Sequence, residues 1–356
     1  MKFPPLKIGS LIAKLPIIQG GMGIGVSGSN LAAAVANEGG IGVISAVQIG
    51  YKEDDFETNT LQANLRALRK EIRKAKELSP NGILGVNILV ASNNFDDIAL
   101  AAIDEKIDLL ICGAGLPTNL PKLVEGSNTK IAPIVSSAKA AQVISKMWKK
   151  RYNYLPDLII VEGMEAGGHL GFSLEEITSN TDYNFSKILE EVLDVTKTLE
   201  EQHGKHIPVI AAGGVFDGSD IAKYMKIGIE GVQMATRFVA TEECDAHINF
   251  KKAYVSSSKE DIIIINSPVG MPGRAIRNEF TSSIEAKPSV TKCYNCLKGC
   301  NPVKTPYCIS KALINAVKGD TSNGLVFAGS NAYRLDKIKS VKELIQDISK
   351  EFDEAY

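Results

Sequence analysis

The sequence predicts a (β/α)8 TIM barrel, an α/β fold, with a small C-terminal appended domain, and three observations predict it. Short apolar runs bounded by Gly or Pro recur along the first two thirds of the chain, each followed by a segment with helical periodicity. The runs lack polar alternation, as strands covered on both faces do. Glycine-rich loops follow the sixth and seventh runs and glycine flanks the eighth, at the rim where barrels of this kind build their sites.

Eight runs can be placed. They are Pro16 to Gln19, Gly42 to Ser45, Leu84 to Leu89, Leu109 to Cys112, Ala132 to Ser136, Leu158 to Val161, Pro208 to Ala212 and Gly231 to Met234. Helices are expected over Asn30 to Asn37, Thr60 to Leu78, Phe95 to Glu105, Lys139 to Lys149, Phe185 to Gln202 and Ser219 to Lys226. Eight strands is the number that closes a sheet into a filled barrel. The expected division is a barrel over 1–241, a lid or appended segment over 242–325 with Pro, Gly and Ser punctuation, and a helical tail over 326–356. In that tail Val341, Leu344, Ile345 and Ile348 fall on one packing face.

Size and composition agree. A barrel of about 250 residues is one domain, and the 356 residues leave room for an appendage. The chain has 40 Lys plus Arg against 41 Asp plus Glu, a net charge of -1. This balance favours a small-molecule substrate and asks for neither nucleic acid nor an anionic membrane. No apolar run has the length of a signal peptide or a membrane span, so a cytoplasmic location is expected. There the six cysteines would be thiols or ligands rather than bridges.

The loop after the seventh strand reads AAGGVFDG, and the eighth strand lies in GIEGVQMATRF. Glycine amides and a helix N-terminus can face an anion with no side chain between, so Gly213, Gly214 and Thr236 are the candidate phosphate site. A tight strand-to-helix turn would use the same glycines. Gly23-Ile-Gly25-Val-Ser-Gly28 formally fits a dinucleotide fingerprint, but the next strand ends at Ser45-Ala46-Val47-Gln48 with no carboxylate for a ribose.

After the sixth strand comes Glu162-Gly-Met-Glu-Ala-Gly-Gly168-His169-Leu-Gly171. Imidazole at the C-terminal end of a barrel strand makes His169 the leading acid, base or hydrogen-bond donor. His203, His206 and His247 lie in polar stretches and are weaker candidates. Metalloprotease, Walker and nucleophile-elbow motifs are absent from the sequence. Cys293-x2-Cys296-x3-Cys300-x7-Cys308 brings four thiols within sixteen residues, which could ligate an iron-sulfur cluster or zinc or remain free. Cys112 and Cys244 read as small buried residues.

The motifs PIIQGGMG, GVNI, EGMEAGGHLGF, IPVIAAGGVFDG and GVQMATRF together resemble the nitronate monooxygenase (2-nitropropane dioxygenase) family, which also contains the FMN-dependent enoyl-ACP reductase II enzymes. The resemblance runs from residue 1 to about 280. It implies an FMN-holding barrel, with Gly21, Met22 and Gly23 beside the ring system, Asn87 near it, and Glu162 and Gly168 on the flavin side of their loop. It further implies Gly213 and Gly214 on the phosphate, Gln233, Met234 and Thr236 closing the site, and His169 in catalysis. From the residues alone, Met22 reads equally as a core methionine and Asn87 as a strand-end cap. Arg274 and Arg277 of the covering loop are expected either to meet a nucleotide phosphate or an acyl-carrier partner, or to stand in solvent.

The expected function is an FMN-dependent oxidoreductase that oxidises alkyl nitronates with oxygen. The alternative is an NAD(P)H-dependent enoyl-ACP reductase II-like enzyme, for which an acyl carrier protein would be the partner. A barrel binding a phosphate compound without turnover is the alternative of another class. An IMP dehydrogenase-like barrel would need a rim cysteine where the loop after strand six has none. A homodimer is compatible with all of these.

Overall fold

The computed structural model describes residues 3–179, 183–284, 290 and 292–356; residues 285–289 and 291 of the expected appendage lie outside the described residues. An N-terminal hairpin, β1 (Leu6–Ile8) and β2 (Leu11–Ala13), precedes β3 (Ile17–Gln19), β4 (Ile41–Ser45), β5 (Ile83–Leu89), β6 (Leu109–Gly113), β7 (Lys130–Val135) and β8 (Ile159–Glu162). The two-residue β9 (Gly168–His169), β10 (Val209–Ala212), β11 (Gly231–Met234), β12 (Ile262–Asn266) and β13 (Pro272–Ile276) follow. Strands β3 to β8 with β10 and β11 close into an all-parallel barrel, in which β8 pairs β10 and β11 pairs β3. These are the eight runs expected from the sequence, with ends shifted by one or two residues.

The barrel helices are α1 (Ser29–Asn37), α2 (Thr60–Leu78), α3 (Phe95–Asp104), the one-turn α4 (Leu120–Leu123), α5 (Ala138–Tyr152), α6 (Leu174–Ser179), α7 (Phe185–His203) and α8 (Gly218–Met225). After β11 come α9 (Thr236–Val239), α10 (Ile248–Val255), α11 (Glu279–Ser283), α12 (Ile309–Val317) and α13 (Val341–Ala355). No described helix is long and apolar enough to cross a membrane. Local chemistry sets several ends. Ser137 caps α5 through its hydroxyl, and Asn153 stops that helix in the left-handed region at φ 52°. Asp217 with Asp220 and Ser340 with Glu343 form capping boxes at α8 and α13.

The barrel interior is filled by Ile18, Ile41, Val43, Leu109, Ile111, Ile160 and Ile210, and the hairpin adds Leu6, Ile8 and Ala13 to this cluster. Leu6 lies against Gly231, the first residue of β11, so the hairpin stops the N-terminal end of the barrel. Each of Leu6 and Ile8 is fully buried, worth about 2 kcal/mol of apolar transfer apiece. A larger apolar layer lies between strands and helices. The tail helix α13 buries Val341, Leu344, Ile345, Ile348 and Phe352, which includes the packing face expected from the sequence. It meets α8 so closely that a Cβ at Gly218 would sit 2.1 Å from the Phe352 amide nitrogen.

Two features of the 242–325 segment position the site. Strands β12, β13 and β9 form a three-stranded antiparallel sheet, in which Gly273 pairs with His169 and Arg274 with Gly168. The N-terminus of α1, where the dinucleotide fingerprint would seat a pyrophosphate, is taken by Asp245: its carboxylate accepts from the amides of Gly28 at 2.8 Å and Leu31 at 3.2 Å. With a protein anion in that place and a closed barrel around it, the fingerprint serves as a turn.

Candidate active site

A cavity of about 490 Å³ opens at the C-terminal ends of the strands, within the size range of small-molecule and cofactor sites. Of the twelve residues expected at the site, eleven line it: Gly21, Met22, Gly23, Asn87, Glu162, Gly168, His169, Gly213, Gly214, Gln233 and Thr236. Met234 is the exception and corrects the expectation. Its side chain, 2% exposed, points into the apolar layer, and only its carbonyl serves the site by accepting from the Gly20 amide at 2.8 Å. Alternation along a strand sends Gln233 and Met234 to opposite faces, a signal already present in the sequence.

Close approach decides several residue types. A Cβ at Gly21 would lie 2.3 Å from Cβ of Asn87, so the loop after β3 can pass beside that asparagine only as glycine. Asn87 in turn donates through Nδ2 to the Ile111 carbonyl at 3.3 Å, and the Met22 amide is held by Ser27 Oγ at 2.8 Å. Gly213 and Gly214 have φ of 82° and 92°, and a Cβ at Gly214 would sit 2.3 Å from the Glu165 carboxylate.

Four lining side chains are set apart by the burial of their polar groups. His169 accepts or donates at Nε2 with Ser267 Oγ at 2.7 Å, and Phe327 stands edge-on to its ring with centroids 5.0 Å apart. Burial pushes its pKa down to about 4, so at neutral pH the ring is an uncharged imidazole. Glu162 faces the cavity from the end of β8, and burial pushes its carboxyl up to about 7. Gln233 Oε1 and Ser45 Oγ, both on lining residues, are buried without a protein partner. No Lys or Arg occurs among the described lining residues.

Sequence reasoning missed Ser267, Phe327 and the roof. The segment around Tyr294 to Leu297, together with Ile309, Ser310 and Leu313, closes one side of the cavity. It is tied to the loop after β5 by Asn93 N to the Cys296 carbonyl at 3.2 Å and Lys298 N to the Ala91 carbonyl at 2.8 Å. Among the described residues no group of three or more His, Cys, Asp or Glu is placed to hold a metal ion. Cys112 and Cys244 are buried.

Arg274 is also corrected. Instead of facing a nucleotide or solvent it is 9% exposed and donates to the carbonyls of Met164, at 2.7 Å, and Ala166. Arg277 stands in solvent. Of the weaker histidines, His206 pairs with Glu200 and Glu230, and His247 accepts from the Asn249 amide at the start of α10. His203 is exposed at the end of α7.

The raised pKa of Glu162 gives a prediction. A carboxyl with a native value near 7 and an unfolded value near 4.5 contributes stability that is present below pH 4.5 and lost as pH rises through 7. Glu162→Gln removes that loss. Urea unfolding at pH 5 and pH 8 is expected to show the variant gaining about 2 kcal/mol on the native protein between the two; an unchanging difference would mean that Glu162 is solvated.

The glycine turn, the unpartnered Gln233 Oε1 and Ser45 Oγ, and a volume of this size fit a flat heterocycle carrying a phosphate. Along 95% of its length the chain resembles the structure of FabK from Thermotoga maritima, with 31% identity, a TM-score of 0.70 and 93% of that chain covered. A probable nitronate monooxygenase of Staphylococcus haemolyticus is 30% identical over 302 residues, 78% of this chain and 79% of that protein. The (3aS,4S,5R,7aS)-5-hydroxy-7a-methyl-1-oxo-octahydro-1H-indene-4-carboxyl-CoA dehydrogenase of Rhodococcus jostii is 26% identical over 94% of this chain and 91% of its own. The family model described as nitronate monooxygenase matches residues 5–351, and the chain belongs to that family of oxidoreductases.

Proposed function

We propose that the protein is an FMN-dependent oxidoreductase that uses NAD(P)H to reduce the α,β-double bond of an acyl thioester. The observation that carries this reading is the lining: a roofed cavity with no lysine or arginine among its described residues, and neutral imidazole at its rim. An uncharged acyl chain is desolvated there at little cost, whereas a nitronate anion would meet no cation. Likeness along 94–95% of the chain to a carboxyl-CoA dehydrogenase and to FabK supports it.

Gly213, Gly214 and Thr236 would hold the FMN phosphate, Gly21, Met22, Gly23 and Asn87 would flank the ring system, and Gln233 would hydrogen-bond it. Bound there, FMN supplies a carrier for an electron pair between two substrates. Ser267 fixes the His169 ring at Nε2, which leaves Nδ1 to hydrogen-bond the thioester carbonyl and orient the acyl group. The roof excludes water from that contact.

Nitronate oxidation is the second reading. It is favoured by the Staphylococcus haemolyticus relative and by His169, whose imidazole could hydrogen-bond a nitro oxygen. An anaerobic visible spectrum of the FMN-loaded protein separates the two. Bleaching by NADPH or NADH and recovery of colour on adding an enoyl-CoA is the expected result. Bleaching by an alkyl nitronate and not by the nicotinamides would replace the thioester reading with the nitronate one, and a spectrum unmoved by any of them would sink both.

A further inference from the structure

A second pocket, of about 390 Å³, lies beside the roof of the first. Tyr294 lines both, so the two adjoin at one side chain. The base of the second pocket is aromatic: Phe56 stacks on Tyr294 with centroids 5.3 Å apart, and Tyr51 is buried beside them.

Its edge is cationic. Lys311 and Ile314 on α12 and Lys318 at its C-cap stand three and four residues apart, which puts both ammonium groups on one side of the helix. The Lys318 and Lys52 ammonium groups lie 5.7 Å and 5.3 Å from the centre of the Tyr51 ring. Of the two acidic residues of the pocket, Glu53 pairs with Arg66 at 3.4 Å, and Glu57 pairs with Lys292 at 2.9 Å while also feeling the charges of Lys311 and Lys318. Among the described residues none of Lys52, Lys311 and Lys318 forms a direct ion pair, so three lysines and two glutamates rim a pocket whose base is made by the edges of buried aromatic rings.

We infer that this pocket binds the phosphorylated adenosine end of a nucleotide-tailed substrate. The buried ring edges give a purine an apolar contact, and lysines act on phosphates as point charges. The position fits the chemistry, because a ligand whose reactive end lies in the first cavity can lay its tail past Tyr294 into the second. The inference rests on the thioester reading for why such a tail is present. Coenzyme A ends in a 3′-phosphoadenosine diphosphate and NADPH in a 2′-phosphoadenosine diphosphate, and the pocket offers the same partners to both.

The test is calorimetric titration of the FMN-loaded, full-length protein with adenosine 3′,5′-bisphosphate, adenosine 2′,5′-bisphosphate and unphosphorylated adenosine. At least one bisphosphate is expected to bind, at least tenfold tighter than adenosine, and to weaken as salt is raised. Preference for the 3′,5′ isomer identifies coenzyme A as the source, and preference for the 2′,5′ isomer identifies NADPH. The double variant Lys311→Glu with Lys318→Glu, at exposed positions away from the cavity lining, should weaken that binding at least tenfold with the flavin spectrum unchanged. Lys52→Glu is the independent variant should the double one not fold. No bisphosphate binding, binding no tighter than adenosine, or binding equal in native and variant proteins would overturn the inference. Turnover of a short pantetheine thioester combined with any of those results would leave the thioester reading standing and remove the pocket alone.

Discussion

Replacing His169 by alanine is expected to lower turnover by about 10²–10⁴-fold, the range that a positioned hydrogen-bonding or proton-handling group commands. The ring is uncharged at neutral pH, with its pKa held near 4, so the native activity should show no histidine titration between pH 6 and 8. Ser267→Ala should cost less, because it frees the ring at Nε2 without removing it. Stability moves in a definite sense. A native pKa of about 4 against an unfolded 6.5 means that the unfolded chain takes up protons first, so the native protein loses stability as pH falls from 6.5 to 4. His169→Ala abolishes that loss, and its stability relative to the native protein should rise by about 2 kcal/mol across the window. Steady-state rates at pH 7 with urea unfolding at pH 4.5 and 7 check both halves; an alanine variant with native turnover would take His169 out of the chemistry.

The second large effect is expected at Arg274. Its guanidinium holds the carbonyls of Met164 and Ala166, two of the residues that lead from β8 to His169, while its backbone pairs with Gly168. Arg274→Met keeps a similar apolar stem but leaves two carbonyls without their donor. At about 1–3 kcal/mol for each unsatisfied group, the variant should lose 2–4 kcal/mol or more. Because the loop then has no fixed path to His169, turnover below the melting range should fall more than tenfold. Arg274→Lys offers one ammonium where a fork was, and should recover part of each loss. Denaturant midpoints and turnover measured on the same preparations test this. Unchanged stability in the methionine variant would show that water satisfies the carbonyls.

How much of this was written in the sequence depends on how far apart the partners lie. The eight barrel strands show as local apolar runs, and the glycine turns and His169 follow from their place after particular strands. The hydrogen bond from His169 to Ser267 spans 98 residues, and the cap that Asp245 places on Gly28 spans 217. Neither serine nor aspartate carries a local mark of such a role. The pairing of β9 with β13 is equally hidden, since a two-residue strand has no periodicity to read. Arg274 looked like a lid residue because arginine is usually exposed, and only tertiary contact supplies the two carbonyls that make its burial tolerable. Met234 is different: the alternation along β11 already separated it from Gln233.

The stopper made by the N-terminal hairpin has a kinetic consequence. With Leu6 and Ile8 sealing one end, whatever reaches the cavity crosses the opposite rim. Electron donor and electron acceptor then share one approach, and each must depart before the other can occupy the same face. Double-reciprocal plots at several fixed concentrations of the second substrate should therefore run parallel, with each substrate inhibiting competitively against the other when in excess.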